Sequence, residues 1–208
     1  MHYPHRFWPA GPAAGDRTAA RAAIDVPTDA VLLVSSGHRL QVEATPEWTQ
    51  SMVAFLDAHP GAHWLLVGVH ESHRAAFAAL HARVRVLPHQ DDLAHWLRAA
   101  DIYVNPPRMG GGASVALAMD LGLAVVSLSG SDGGDKVGDL AAPHTKVYFE
   151  RLAQWTNEPG LRREAAATLE RRFRQELDIS RPDACTRLIR ACQEAQACFE
   201  RRRGEPDT

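Results

Sequence analysis

The sequence predicts an α/β fold, a Rossmann-like, doubly wound parallel sheet of about five or six strands with C-terminal helices. Two observations predict it. Short apolar runs recur along the chain, each followed by a stretch of helical periodicity, which is the pattern of successive βα units. The runs are mostly apolar rather than regularly alternating, as strands covered on both faces tend to be. Right-handed crossovers then place helices on both sides of the sheet.

The first strand is expected over 30–36 (AVLLVSS). Thr45 caps the next helix, Pro46 occupies its first position and Glu47 puts an acid in its first turn. Trp48, Met52, Phe55 and Leu56 follow at helical spacing, and His59-Pro60-Gly61 ends the run. Strands are expected over 63–69, 84–87, 101–105 and 123–128. Between them lie helices over 71–82, 90–100, with Leu93, Trp96, Leu97 and Ala100 on one face, and 112–121, closed by Gly122. Helices over 147–157, 160–177 and 182–203 complete the chain, the last with an apolar stripe of Leu188, Ala191, Cys192, Ala195 and Phe199. Residues 1–29, rich in Pro, Gly and Ala, read as an arm or linker with a short helix over 17–23. The domain proper covers 30–203, and 204–208 reads as a disordered tail.

The 208 residues suffice for one domain with a real core. A formal net charge of −2 lacks the positive excess of a nucleic-acid binder. The only lysines are Lys136 and Lys146. Three cysteines, Cys185, Cys192 and Cys198, stand at irregular helical spacings, which argues for a reducing compartment rather than a disulfide framework. The N-terminal stretch has no apolar segment of a signal peptide, and no run approaches the ~20 residues of a membrane span, so a cytoplasmic location is expected. His2/His5 and His70/His73 are closely spaced but lack an evident third ligand, and no metal site is expected.

In open parallel sheets ligands bind at the carboxyl ends of strands. Two loops there stand out. Residues 105–114 (NPPRMGGGAS) join the fourth strand to a helix. Three glycines permit close backbone approach, the helix start offers free N–H groups, Ser114 a hydroxyl and Arg108 a charge, which together suit a diphosphate. The same glycines equally suit a tight strand-to-helix turn with no ligand. No Walker lysine follows, and a first-strand GxGxxG is absent. Residues 35–40 (SSGHRL) follow the first strand, where Gly37 and Arg39 suit an anion, or Arg39 is a solvated surface residue.

The stretch 100–128 (ADIYVNPPRMGGGASVALAMDLGLAVVSL) resembles the nucleotide-sugar-binding segment of GT-B glycosyltransferases, and 36–40 (SGHRL) resembles the Gly-x-Arg-Leu element that opens their donor domain. The likeness covers about residues 20–200, one GT-B half. It is nearest the O-linked N-acetylglucosamine transferase-like and group 1-like branch, whose turn 111–114 (GGAS) resembles. The resemblance implies a donor half that binds a nucleoside-diphosphate sugar for glycosyl transfer, completed by an N-terminal acceptor domain or partner chain. Diphosphate contacts would fall on Gly37, Arg39, Gly111, Gly112, Ala113, Ser114 and Lys136. Pro88, His89, Asn105 and Asp135 would lie near the nucleobase or sugar. The class works without a metal or other cofactor, because basic groups and a helix N-terminus carry the electrostatic role.

The departures from the family pattern are specific. The acid that holds the ribose hydroxyls in many members falls on Leu117 and its paired acid eight residues earlier on Met109, with Asp120 about one turn too far along, and the usual proline before Val125-Val126 is Ala124. No catalytic residue can be assigned within this half; His89 or His95 would serve only in a completed cleft. The alternative is a catalytically degenerate module that serves protein interaction or nucleotide sensing. A flavodoxin-like or receiver-like reading fails, because Ser35-Ser36-Gly37-His38-Arg39 stands where an acidic cluster would be needed.

Overall fold

The computed structural model describes residues 16–110 and 112–204. Five strands form one parallel sheet: β1 (Val31–Ser36), β2 (Ala62–Val67), β3 (Val84–Leu87), β4 (Ile102–Val104) and β5 (Ala124–Val126), in the order β3-β2-β1-β4-β5. All neighbours pair in parallel, Val31 opposite Ala62, Trp64 opposite Val84, Leu33 opposite Ile102 and Ile102 opposite Ala124. A single bridge from Leu128 to Ala142 extends beyond β5 where a sixth strand would lie.

The strands fall where expected, each end within two residues of its expected place. β2 stops before 68 for a steric reason. Gly68 takes φ +95° and lies so close to the Gly37 carbonyl that a Cβ would come within 2.9 Å of its oxygen.

The helices are α1 (Asp16–Ala23), α2 (Leu40–Glu43), α3 (Pro46–Ala58), α4 (Glu71–Ala78), α5 (Leu93–Ala99), α6 (Ala113–Asp120), α7 (Gly134–Val137), α8 (Thr145–Asn157), α9 (Pro159–Arg172) and α10 (Ala184–Gly204). Thr45 caps α3 as expected, its hydroxyl accepting from Trp48 N. α5 begins at 93 rather than 90, because the Asp92 carboxylate caps it by accepting from His95 N. α9 widens into a π-turn over Phe173–Leu177, which keeps both Phe173 and Leu177 buried.

Alternate residues of the strands feed two cores, one on each face of the sheet. Leu32, Val34, Leu65, Tyr103 and Val125 pack with α1, α5, α6 and the π-turn. Leu33, Trp64, Leu66, Ile102 and Val126 pack with α3, α8 and Ala165 of α9.

Residues 1–15 of the expected arm and 205–208 of the expected tail lie outside the described residues. Residues 16–29 are no free linker. Ala20, Ile24 and Val26 join the core, and the Arg21 guanidinium, 1% exposed, donates to the carbonyls of Ala99, Pro27, Thr28 and Ala30 and to Asp101. The apolar stripe expected to bury α10 does not do so. Leu188 and Phe199 are more than half exposed, and only Ala184 of residues 184–200 is buried, because the sheet is already covered on both faces by other helices.

Candidate functional site

The strand order reverses direction between β1 and β4, and the crevice at their carboxyl ends is the place where such sheets bind ligands. A cleft of about 250 Å³ opens there. Ser36, Gly37 and His38 supply one wall, Val67 and Gly68 the floor, His89, Gln90, Asp91 and Leu93 the far wall, and Ala113 and Ser114 the near one.

The near wall is the N-terminus of α6, with free N–H groups and the positive end of the helix dipole. Gly112 stands at its cap position with φ +61°, and a Cβ there would meet the Asp132 carbonyl oxygen at 2.6 Å and the Lys136 Cε at 2.7 Å. Glycine is therefore demanded by both backbone conformation and packing. The same contact locates Lys136. Its stem lies under the glycine turn, and the residue is buried although it carries a charge. Arg172 of α9 fixes the loop by donating to the carbonyls of Lys136 and Asp135.

The expected residues thus sort by position. Gly37, His89, Ala113 and Ser114 line the cleft. Gly112 and Lys136 lie directly beside its helix wall. Gly111 lies outside the described residues. Arg39, with a side chain 60% exposed, follows the lining residue His38 and stands 3.8 Å from Glu43. Pro88 turns its carbonyl to Gly68 N, and the Asp135 side chain faces solvent.

Asn105 is fully buried just past the end of β4 and does not line the cleft. Its amide nitrogen donates to Asp132 Oδ1 at 2.8 Å and approaches Ser127 Oγ and Ser131 Oγ, while its Oδ1 has no hydrogen-bond partner. The Tyr148 hydroxyl donates to the Asn105 carbonyl, and burial raises its pKa well above the usual phenol range, so it remains a donor.

Arg108 turns inward rather than toward a ligand, contrary to its expected place in the diphosphate cradle. Its Nη1 donates to Ser36 O at 2.9 Å and Glu43 Oε2 at 3.1 Å, and its Nη2 donates to the Tyr103 hydroxyl at 3.2 Å. Asp132 Oδ2 lies 3.3 Å from its Nε. Burial alone would favour the neutral guanidine, but Tyr103, Asp132 and Glu43 outweigh it and raise the pKa. The charge is consumed inside the protein, and three strand-end loops are tied together. A Cβ on Gly37 would collide with Arg108 Nη1, which explains that glycine.

The residues not anticipated from sequence are Glu43, Gly68, Tyr103, Ser127, Ser131 and Asp132. For Tyr103 and Ser127 the signal was a hydroxyl inside a run that must be buried, where it needs a partner. Beyond Arg108 a second cleft of about 310 Å³ lies between Pro107, Met109, Leu128, Gly130 and His144. Met109 is 78% exposed and Leu117 is buried in the core, so neither position offers a polar group to the cleft. Among the described residues no three His, Cys, Asp or Glu side chains converge, and no helix is long and apolar enough to cross a membrane.

The family model described as glycosyl transferases group 1 matches residues 30–149, which includes every strand of the sheet. No curated protein matches the chain. Among solved structures, WaaG, a glycosyltransferase involved in lipopolysaccharide biosynthesis, superposes with a TM-score of 0.71 at 16% identity over 85% of this chain and 53% of its own. Anabaena HepE, solved with UDP, superposes with a TM-score of 0.67 at 13% identity over 88% of this chain and 54% of its own. The C-terminal domain of the group 1 protein LpcC from Francisella tularensis gives 0.60 at 14% identity, over 86% of this chain and 97% of that domain. At these identities the likeness is one of fold. The chain spans about half the length of WaaG and HepE, and nearly all of the isolated LpcC domain.

Proposed function

The chain belongs to the glycosyl transferases of group 1, and from that premise we propose that it is a donor-binding GT-B half that holds a nucleoside-diphosphate sugar for glycosyl transfer. The observation that carries the reading is the cleft at the switch point, with the α6 N-terminus, Gly112 and Ser114 on one side and Gly37 on the other. HepE has been solved with UDP and with UDP-glucose, which supports a uridine nucleotide as the first ligand to try.

In this reading the diphosphate lies along the start of α6, accepting from backbone N–H groups and the Ser114 hydroxyl. Lys136 and Arg39 add positive charge as the leaving diphosphate gains its negative charge. Those groups replace a metal in that role, so none is required. The nucleobase reaches the His89–Gln90 loop. A second domain or partner chain brings the acceptor and the base that deprotonates it, a reading supported by the chain's covering only 53% of WaaG.

The test is calorimetric titration of the chain with UDP, GDP and UDP-glucose, with and without EDTA. Binding of a nucleotide at micromolar to millimolar concentration, unaffected by EDTA, is the expected result. Absence of binding to all three sinks the reading. It would favour an interaction module instead, a reading supported by the exposed side chains of Val42 and Met109, each next in sequence to a member of the Glu43–Arg108 pair.

A further inference from the structure

We propose that Glu43 is a built-in competitor for the donor phosphates: its carboxylate holds Arg39 in the empty domain and thereby sets the affinity for nucleotide. The proposal rests on the donor-binding reading above.

The two partners of this ion pair differ in freedom. Glu43 is fixed. Its side chain is only 14% exposed, and its Oε2 accepts from the buried Arg108 at 3.1 Å. Arg39 is loose. It lies 3.8 Å from Glu43 Oε1, beyond hydrogen-bond distance, on a long and exposed side chain. Such a pair is weak and easily exchanged. Arg39 can therefore swing to an anion in the cleft while Glu43 stays with Arg108.

The carboxylate that stays behind also lies close to the cleft wall. The place of a Cβ on Gly37, a lining residue, is 3.7 Å from Glu43 Oε2. Charge around the loop after β1 balances, Arg39 and Arg108 against Glu43 and Asp132. Two arginines near a phosphate site would draw an anion strongly. With two carboxylates interleaved they draw it weakly, and a diphosphate must both compete for Arg39 and approach a fixed negative charge.

Glu43→Gln separates charge from shape. Its amide oxygen still accepts from Arg108, and Asp132 still neutralises that guanidinium. UDP affinity should rise roughly three- to tenfold, because a charge near the site and a rival for Arg39 disappear together. A merely structural role for Glu43 cannot produce a gain. Glu47→Gln on α3 makes the same change in net charge at an exposed position and should leave affinity within twofold.

The experiment is calorimetric titration of the whole chain with UDP, in the native protein, Glu43→Gln, Glu47→Gln, Arg39→Ala and the Arg39→Ala/Glu43→Gln double variant. The expected result is a gain in Glu43→Gln that is clearly smaller when Arg39 is absent, because only the effect of the fixed charge then remains. Unchanged or weaker binding in Glu43→Gln, an equal gain in Glu47→Gln, or a gain undiminished by the loss of Arg39 overturns the proposal while the donor-binding reading stands. Failure of UDP to bind both the native chain and Glu43→Gln overturns both.

Discussion

Two arginines are buried at opposite ends of one sheet, and they are held differently. At the amino ends of the strands Arg21 donates to four backbone carbonyls and to a single carboxylate, Asp101, which Arg17 also grips at 2.7 Å. Burial lowers its pKa, with Asp101 only partly offsetting the shift. At the carboxyl ends Arg108 meets one carbonyl, one phenol and two carboxylates, and its pKa is raised. The first arrangement pins backbone to backbone and fastens α1 onto the domain. The second ties three loops beside an open cleft by charges, next to glycines that admit no side chain and an Asn105 oxygen without a partner. In the donor-binding reading the amino end is the scaffold and the carboxyl end the site.

The sharpest way to break that contrast is Arg21→Ala. It leaves four carbonyls without their donor and a carboxylate half-paired, which should cost about 3–5 kcal/mol and lower the melting temperature by about 6–20 °C. Nucleotide affinity of the folded fraction should stay within about twofold of native. Thermal unfolding and calorimetry read both quantities, and a small change in melting temperature would remove the scaffold role from this end.

Gly112→Val should do the reverse in binding. Its side chain meets the Asp132 carbonyl and the Lys136 stem at a φ of +61°, so a cost of about 1–3 kcal/mol in stability accompanies loss of more than about tenfold in nucleotide affinity. Native-like binding in a folded Gly112→Val protein would show that the phosphate does not lie on this turn.

Arg39→Ala is a milder and cleaner probe. An exposed arginine adds little to folding, so the melting temperature should move by about 1 °C or less. If Arg39 contacts the diphosphate, a charge-assisted contact of roughly 1.5–3 kcal/mol is lost and affinity falls about tenfold or more. Unchanged affinity would mean that the loop after β1 does not face the ligand.

The smallest effect tests the scaffold by pH. His63 in β2 is buried, and its Nδ1 has no hydrogen-bond partner. Burial first, then Arg85 and Arg83, lower its pKa below the ordinary imidazole value. On acidification the unfolded chain takes up a proton that the folded chain resists. Stability therefore declines as pH falls below about 6.5. His63→Leu should make the melting temperature fall less between pH 7.5 and 5.5, and an unaltered slope would exclude His63 as a cause.

Local pattern made much of this legible. Short, mostly apolar runs located all five strands within two residues at either end, because strands covered on both faces carry few polar residues. Thr45 marked a helix start through a bond that spans three residues. The glycine turn before α6 was legible for the same reason, since its chemistry lies within ten consecutive residues. The roles of single side chains were less so. Leu188 and Phe199 share a helical stripe, yet a stripe records spacing and not burial, and both are more than half exposed. Arg21 read as part of an arm, because its five partners lie 6 to 80 residues away in the chain.

The sequence by itself determined the parallel α/β architecture, the order of its elements and the place of the glycine turn before α6, all of which follow from periodicity and from glycine's freedom at short range. Only the tertiary structure decided which charges face the cleft. Arg108 and Arg39 are both arginines in strand-end loops, indistinguishable by composition. Arg108 is buried because Glu43, 65 residues before it, and Asp132 in the loop after β5 converge on it once the strands are side by side. Arg39 remains in solvent because its nearest carboxylate is already bonded to Arg108. Electrostatic partnership depends on distance in space, and that distance is set by strand order.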